Sequence, residues 1–141
     1  MNVLVDTPVW SFALRRNANQ LSNQQRDLIS DLASLIHSGG ARLLGMVRQE
    51  ILSGISDRTR FERIRNHLRG FPDIALSEAD YETAAEVHNR CRAQGITATP
   101  VDALLCATAL RRDWSVFTTD RDFSYYARLM PLRLHGARPH S

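Results

Sequence analysis

Asn2-Val3-Leu4-Val5-Asp6-Thr7-Pro8-Val9-Trp10 is the stretch on which the reading of this chain turns. A short β-forming run, residues 2–5, ends on a carboxylate. Thr7 and Pro8 then read as helix cap and first helical residue, opening a short helix to about Leu14. A buried strand that passes straight into a helix is the opening unit of an α/β fold.

The same alternation continues outward. From Ser22 to about Ile36, apolar residues at Leu28, Ile29, Leu32, Leu35 and Ile36 make a helical stripe, which Gly39-Gly40 stops. Residues 42–46 predict a second strand, and a short helix near 47–52 ends at Gly54. Phe61, Ile64, Leu68 and Phe71 repeat at helical spacing, Pro72 closes that helix, and residues 73–76 predict a third strand. Ser77-Glu78-Ala79-Asp80 resembles a capping box opening a helix to about Ala93. Thr99-Pro100 opens another, apolar on almost every side except Asp102, as a buried helix is. Residues 115–118 and 132–135 complete five strands, in the order β-α-α-β-α-α-β-α-α-β-α-β. The expectation is an α/β fold with a mainly parallel sheet covered by helices, one domain over residues 1–141, with a frayed tail from about residue 136.

The 141 residues, 43% hydrophobic, suit one self-sufficient core and exclude a disordered chain. No apolar run approaches the ~20 residues of a membrane span, and the N-terminus lacks the pattern of a secretory signal. Cys91 and Cys106 have no metal or disulfide spacing, so a cytoplasmic location with reduced thiols is expected. His37, His67, His88, His135 and His140 show no metal spacing either. All 18 cations are Arg and the net charge is +3. G+C-rich coding explains the choice of Arg, which also suits bidentate phosphate contact.

Four acids stand at junctions or in apolar surroundings. Asp6 ends the first strand, Glu50 follows the second, Asp102 interrupts the buried helix, and Asp120, with Asp122 behind it, follows the strand at 115–118. In open parallel sheets, residues just past the carboxyl ends of strands line the ligand crevice. Grouped carboxylates need a compensating cation, and Mg²⁺ or Mn²⁺ takes oxygen ligands of this kind. Such a metal activates water and neutralises charge on a phosphodiester. Each acid alone has a structural explanation. Asp6 can cap a helix, Asp102 can face the helix dipole, Glu50 can sit on a surface helix, and Asp120 can belong to a turn. Their convergence is what favours chemistry.

Residues 3–10, Gln49-Glu50-Ile51-Leu52-Ser53-Gly54, Pro100-Val101-Asp102-Ala103-Leu104-Leu105-Cys106 and Val116-Phe117-Thr118-Thr119-Asp120-Arg121-Asp122-Phe123 together resemble the ordered motifs of PIN-domain proteins, especially VapC-type toxins. Pro8 departs from the pattern, in which Ser or Asn is frequent. The resemblance implies a PIN-like three-layer fold with a central five-stranded sheet flanked by helices. It implies an Mg²⁺-dependent endoribonuclease (Mn²⁺ substituting), the toxin of a type II toxin–antitoxin pair. Asp6, Glu50, Asp102 and Asp120 carry over as the acidic set. Asp122 matches a position acidic in only some relatives, and Thr7 and Thr118 match supporting hydroxyls. A cognate antitoxin, an RNA substrate and a homodimer are the implied partners, the antitoxin lying in an apolar groove near the early helices.

The Arg-rich residues 58–69 and the pairs Arg15-Arg16 and Arg111-Arg112 are candidate RNA contacts or solvated faces. A haloacid dehalogenase-type phosphatase also starts with Asp after a strand, but Pro8 replaces its second Asp and the chain has no Lys. A receiver domain fails for want of the same Lys. A PIN-like module that binds RNA or a partner without cutting is the non-enzymatic alternative.

Overall fold

The computed structural model describes residues 1–15 and 20–136. Arg16, the tail beyond residue 136 and His140 lie outside the described residues.

Val3–Val5 forms β1, wholly buried because its three apolar side chains meet helices on both faces of a parallel sheet. The chain then enters α1 (Thr7–Arg15) and α2 (Asn23–His37). Ser22 caps α2 with a reciprocal capping box to Gln25. Gly39 at φ +79° ends the helix. A Cβ on Gly40 would lie 2.5 Å from the Met1 carbonyl oxygen, so only glycine lets β2 (Ala41–Arg42) start beside β1.

Next come α3 (Gly45–Leu52), α4 (Arg58–Leu68), α5 (Glu78–Ala93) and α6 (Pro100–Arg112). The chain finishes with β3 (Ser115–Phe117), α7 (Asp122–Leu129) and β4 (Arg133–Leu134). All four strands are parallel in the order β2-β1-β3-β4. Val5 pairs with Phe117, so β1 and β3 end level with each other. The first connection runs outward from β1 to β2, and the next returns across β1 to β3. The strand order therefore reverses between β1 and β3, the switch point at which open α/β sheets place their ligands. The core spans both faces of this sheet and includes Trp10, whose indole N–H donates to the Val5 carbonyl at 3.1 Å. In α6, residues 103–109 are all buried, as the apolar run predicts.

Two strand expectations are corrected. The second strand stops at Arg42 because α3 begins at Gly45, so Met46 is helical. The expected strand at 73–76 is reduced to one parallel bridge, Leu43 to Asp73, leaving four strands among the described residues, not five. Arginine side chains hold that segment in place of a neighbouring strand. Arg48 Nε donates to Asp73 at 2.8 Å and its guanidinium reaches the Leu68 and Phe71 carbonyls, while Arg112 donates to the Ala75 carbonyl.

Arg111 and Arg112 are tied down too. Both donate at 2.8 Å to Oδ1 of Asp80, which is 0% exposed and also caps α5 through the Ser77 N–H. The two guanidiniums hold the Asp80 carboxyl well below the usual carboxylate range. This pair therefore fastens α6 to α5 and is not a free cationic surface. No helix among the described residues is long and apolar enough to cross a membrane.

Candidate metal centre

The last hydrogen bond of β1 runs from the Asp6 N–H to the Phe117 carbonyl at 2.9 Å, placing the Asp6 side chain just beyond the strand ends. Its Oδ1 accepts the Thr7 N–H and its Oδ2 accepts the Thr118 hydroxyl, both at 2.8 Å. Asp6 is 5% exposed. Burial pushes its pKa up to about 6 against those two hydrogen bonds, and the charges of Asp102 and Glu50 add to the rise. A carboxylate bridging two strand ends does more than cap α1.

The hydroxyls on either side extend the arrangement. Thr118 Oγ1, while donating to Asp6, accepts the Asp120 N–H at 3.0 Å. Asp120 Oδ1 accepts the Asp122 N–H at 2.9 Å, turning the chain into α7. On the other flank, Thr7 Oγ1 donates to Glu50 Oε1 at 2.7 Å, drawing α3 to the start of α1.

Asp102 reaches the same edge from α6. Thr99 caps the helix by accepting the Asp102 N–H at 3.1 Å, so Asp102 is the third helical residue, as its sequence context predicts. Asp102 Oδ2 accepts the Tyr126 hydroxyl at 2.9 Å. Burial raises the Asp102 pKa, the tyrosine opposes this, and the charges of Asp120 and Asp122 raise it further. Burial also pushes the Tyr126 hydroxyl far up, so it stays a donor.

The structure thus brings all five sequence-predicted acids to one open cavity of about 390 Å³, walled by Asp6, Thr7, Pro8, Glu50, Thr99, Asp102, Asp120 and Asp122. Carboxylate oxygens of Asp102, Asp120 and Asp122 lie within 4.8 Å of one another. Asp122, whose place the motif left open, is in this inner group. Asp6 and Glu50 complete the wall. The donor set is all oxygen and all acidic, and its two more buried members have raised pKa values. That is the fit expected for a hard divalent cation and a poor one for zinc, which favours His and Cys.

Tyr126 and Thr99 are the members that sequence reading missed. Thr99 was legible only as a cap. Tyr126 carries no local signal, since its contact with Asp102 depends on how α7 crosses α6. His88 is a packed residue, part-buried on α5 with Nδ1 3.2 Å from the Ala98 carbonyl oxygen, and Cys106 is fully buried in the core.

The profile of the PIN domain family matches residues 3–129. Among solved structures, a chain of FitAcB from Neisseria gonorrhoeae superimposes with a TM-score of 0.72 at 19% identity, over 94% of this chain and 95% of that one. A chain of VapBC2 from Rickettsia felis, bound to a DNA fragment from the VapBC2 promoter, gives 0.72 at 15% identity over 96% and 98%. A chain of a toxin–antitoxin complex from Klebsiella pneumoniae gives 0.66 at 17% identity over 87% and 91%. At these identities the three likenesses speak for the fold.

Proposed function

This chain belongs to the PIN-domain family, and from that premise we propose that it is an Mg²⁺- or Mn²⁺-dependent endoribonuclease, the toxin of a type II toxin–antitoxin pair, acting as a single domain over residues 1–141. One observation carries the reading: five carboxylates from four separate stretches of chain line one cavity at the β1/β3 switch point. The family match replaces the phosphatase reading.

Asp102, Asp120, Asp122 and Asp6 would hold the cation. When bound, it supplies an activated water and neutralises charge on the phosphodiester. The chain's own residues position and shield. Thr118 orients Asp6 and fixes the Asp120 backbone through one hydroxyl. Thr7 orients Glu50, which offers a carboxylate at the cavity wall to take a proton from attacking water. The cavity is open, as a polymeric substrate needs, and among the described residues no Ser or Cys lines it.

The antitoxin and the homodimer both follow from the family resemblance, and structures described as a toxin–antitoxin complex and as VapBC2 support the antitoxin alone. A hollow between α1, α2 and the turn after β3 lies near the early helices, where the antitoxin is expected, but only Phe12 and Leu28 of its lining are apolar, against Gln24, Gln25, Thr119 and Arg121. Light scattering of the pure protein tests the dimer. A cytoplasmic location belongs to the same reading.

Pure protein incubated with single-stranded RNA and Mn²⁺ should cut it, chelator should stop the reaction, and Asp120→Asn should abolish it with the fold intact. An intact substrate with wild type would leave a PIN domain that binds without cutting. Cleavage by the variant near the wild-type rate would remove Asp120 from the site.

A further inference from the structure

Tyr126 is fully buried on α7, its ring edge-on to Phe123 with centroids 5.0 Å apart. Its hydroxyl oxygen lies 2.9 Å from Asp102 Oδ2 and 3.3 Å from the Thr97 carbonyl oxygen. The one hydroxyl proton therefore serves two acceptors on the same piece of chain: the acid in the first turn of α6, and the loop that leads to its Thr99 cap. Asp102 is the only cavity acid supplied by α6, whereas Asp120 and Asp122 belong to the turn and first residue leading into α7, the helix that carries Tyr126. Among the hydrogen bonds described around the cavity, the Tyr126 hydroxyl is the one that joins α7 to the Asp102 side chain.

We propose that Tyr126 is a positioning residue of the metal centre, its hydroxyl fixing the Asp102 carboxylate in the rotamer that brings it within 4.8 Å of the Asp120 and Asp122 carboxylates. The inference rests on the metal reading of the cavity and deepens it. A carboxylate on a single-bonded stem swings freely unless one oxygen is held. Partners of this kind orient a ligand before the ion arrives, and removing one costs typically 10- to 100-fold in metal affinity. The hydroxyl takes one acceptor position on Oδ2, and an ionised carboxylate keeps further lone pairs on both oxygens, so the group is held without being blocked.

Tyr126→Phe removes only the hydroxyl and keeps the ring against Phe123. Mn²⁺ titrated into the metal-free protein, followed by calorimetry and by loss of the free-ion paramagnetic resonance signal, should bind the variant at least 10-fold more weakly. Phe123→Leu disturbs the ring contact but not the hydroxyl, and should bind Mn²⁺ within about threefold of wild type. Equal affinity of Tyr126→Phe and wild type would overturn the proposal. Equal loss in both variants would do so as well, since packing would then account for the effect. If wild type binds Mn²⁺ and Asp102→Asn does not weaken it, the placing of Asp102 in the metal centre fails. If wild type binds no Mn²⁺, the metal reading itself fails and takes this inference with it.

Discussion

The site's chemistry is decided by which carboxylates the protein buries. Asp6 has its pKa raised to about 6, chiefly by burial. An acid raised in the folded state favours the protonated form, so metal-free stability is full below pH ~4 and falls as pH rises to about 6. A shift of about two units corresponds to about 3 kcal/mol. The metal-free melting temperature should therefore drop across that window, and Asp6→Asn should flatten the drop. Because ligation needs the ionised carboxylate, Mn²⁺ affinity should run the other way, weakening as pH falls below about 6. Calorimetry between pH 4.5 and 8 reads both trends, and a pH-independent affinity would exclude Asp6 as a ligand. Asp102→Asn makes a companion case. Mn²⁺ should raise the wild-type melting temperature by binding only the native state, and the variant should lose most of that increment.

At the scale of elements, what was legible in the sequence is what local chemistry specifies. Thr99-Pro100 announced α6 and set Asp102 three residues in, and Ser77 with Asp80 announced α5. The failures lie where a distant side chain overrides local preference. Residues 73–76 have the composition of a strand, yet Arg48 and Arg112 take up Asp73 and the Ala75 carbonyl. Arg111-Arg112 read as surface cation, because the acid they hold is 31 and 32 residues away in sequence. Removing that acid should be costly. Asp80→Ala takes the shared carboxylate from exposed Arg111 and part-buried Arg112, leaves Arg112 with backbone carbonyls alone as acceptors, and should destabilise the fold by about 3 kcal/mol in chemical denaturation. An effect under about 1 kcal/mol would mean that the α5–α6 packing is held by its apolar face alone. The Arg-rich α4 calls for a narrower test than its sequence suggests. Arg60 is part-buried and Arg58 pairs with Glu62, whereas Arg63 and Arg69 are exposed. If these two meet RNA, Arg63→Gln with Arg69→Gln should flatten the slope of log affinity against log salt by about 0.7 for each phosphate left without its arginine. Binding measured in a non-cleaving Asp6→Asn background decides this, and an unchanged slope would make α4 a solvated face.

At the scale of the molecule, four parallel strands and one reversal of strand order do most of the assembling. Asp6 and Thr118 meet because β1 and β3 are level neighbours, and their 112-residue separation is closed by the sheet alone. Sequence reading reached the convergence of the acids through this topology, but not the shape of the cavity, which depends on how α3, α6 and α7 lean over the strand ends. In the function proposed above, these acids form one cation site. Crystals grown with Mn²⁺ and measured near the manganese absorption edge test it most directly. An anomalous peak about 2.0–2.2 Å from carboxylate oxygens of Asp102 and Asp120, with Asp6 or Asp122 as a further ligand, is the predicted result. A map with no peak in this cavity under conditions where the same protein cuts RNA, or a peak held by other residues, would contradict it.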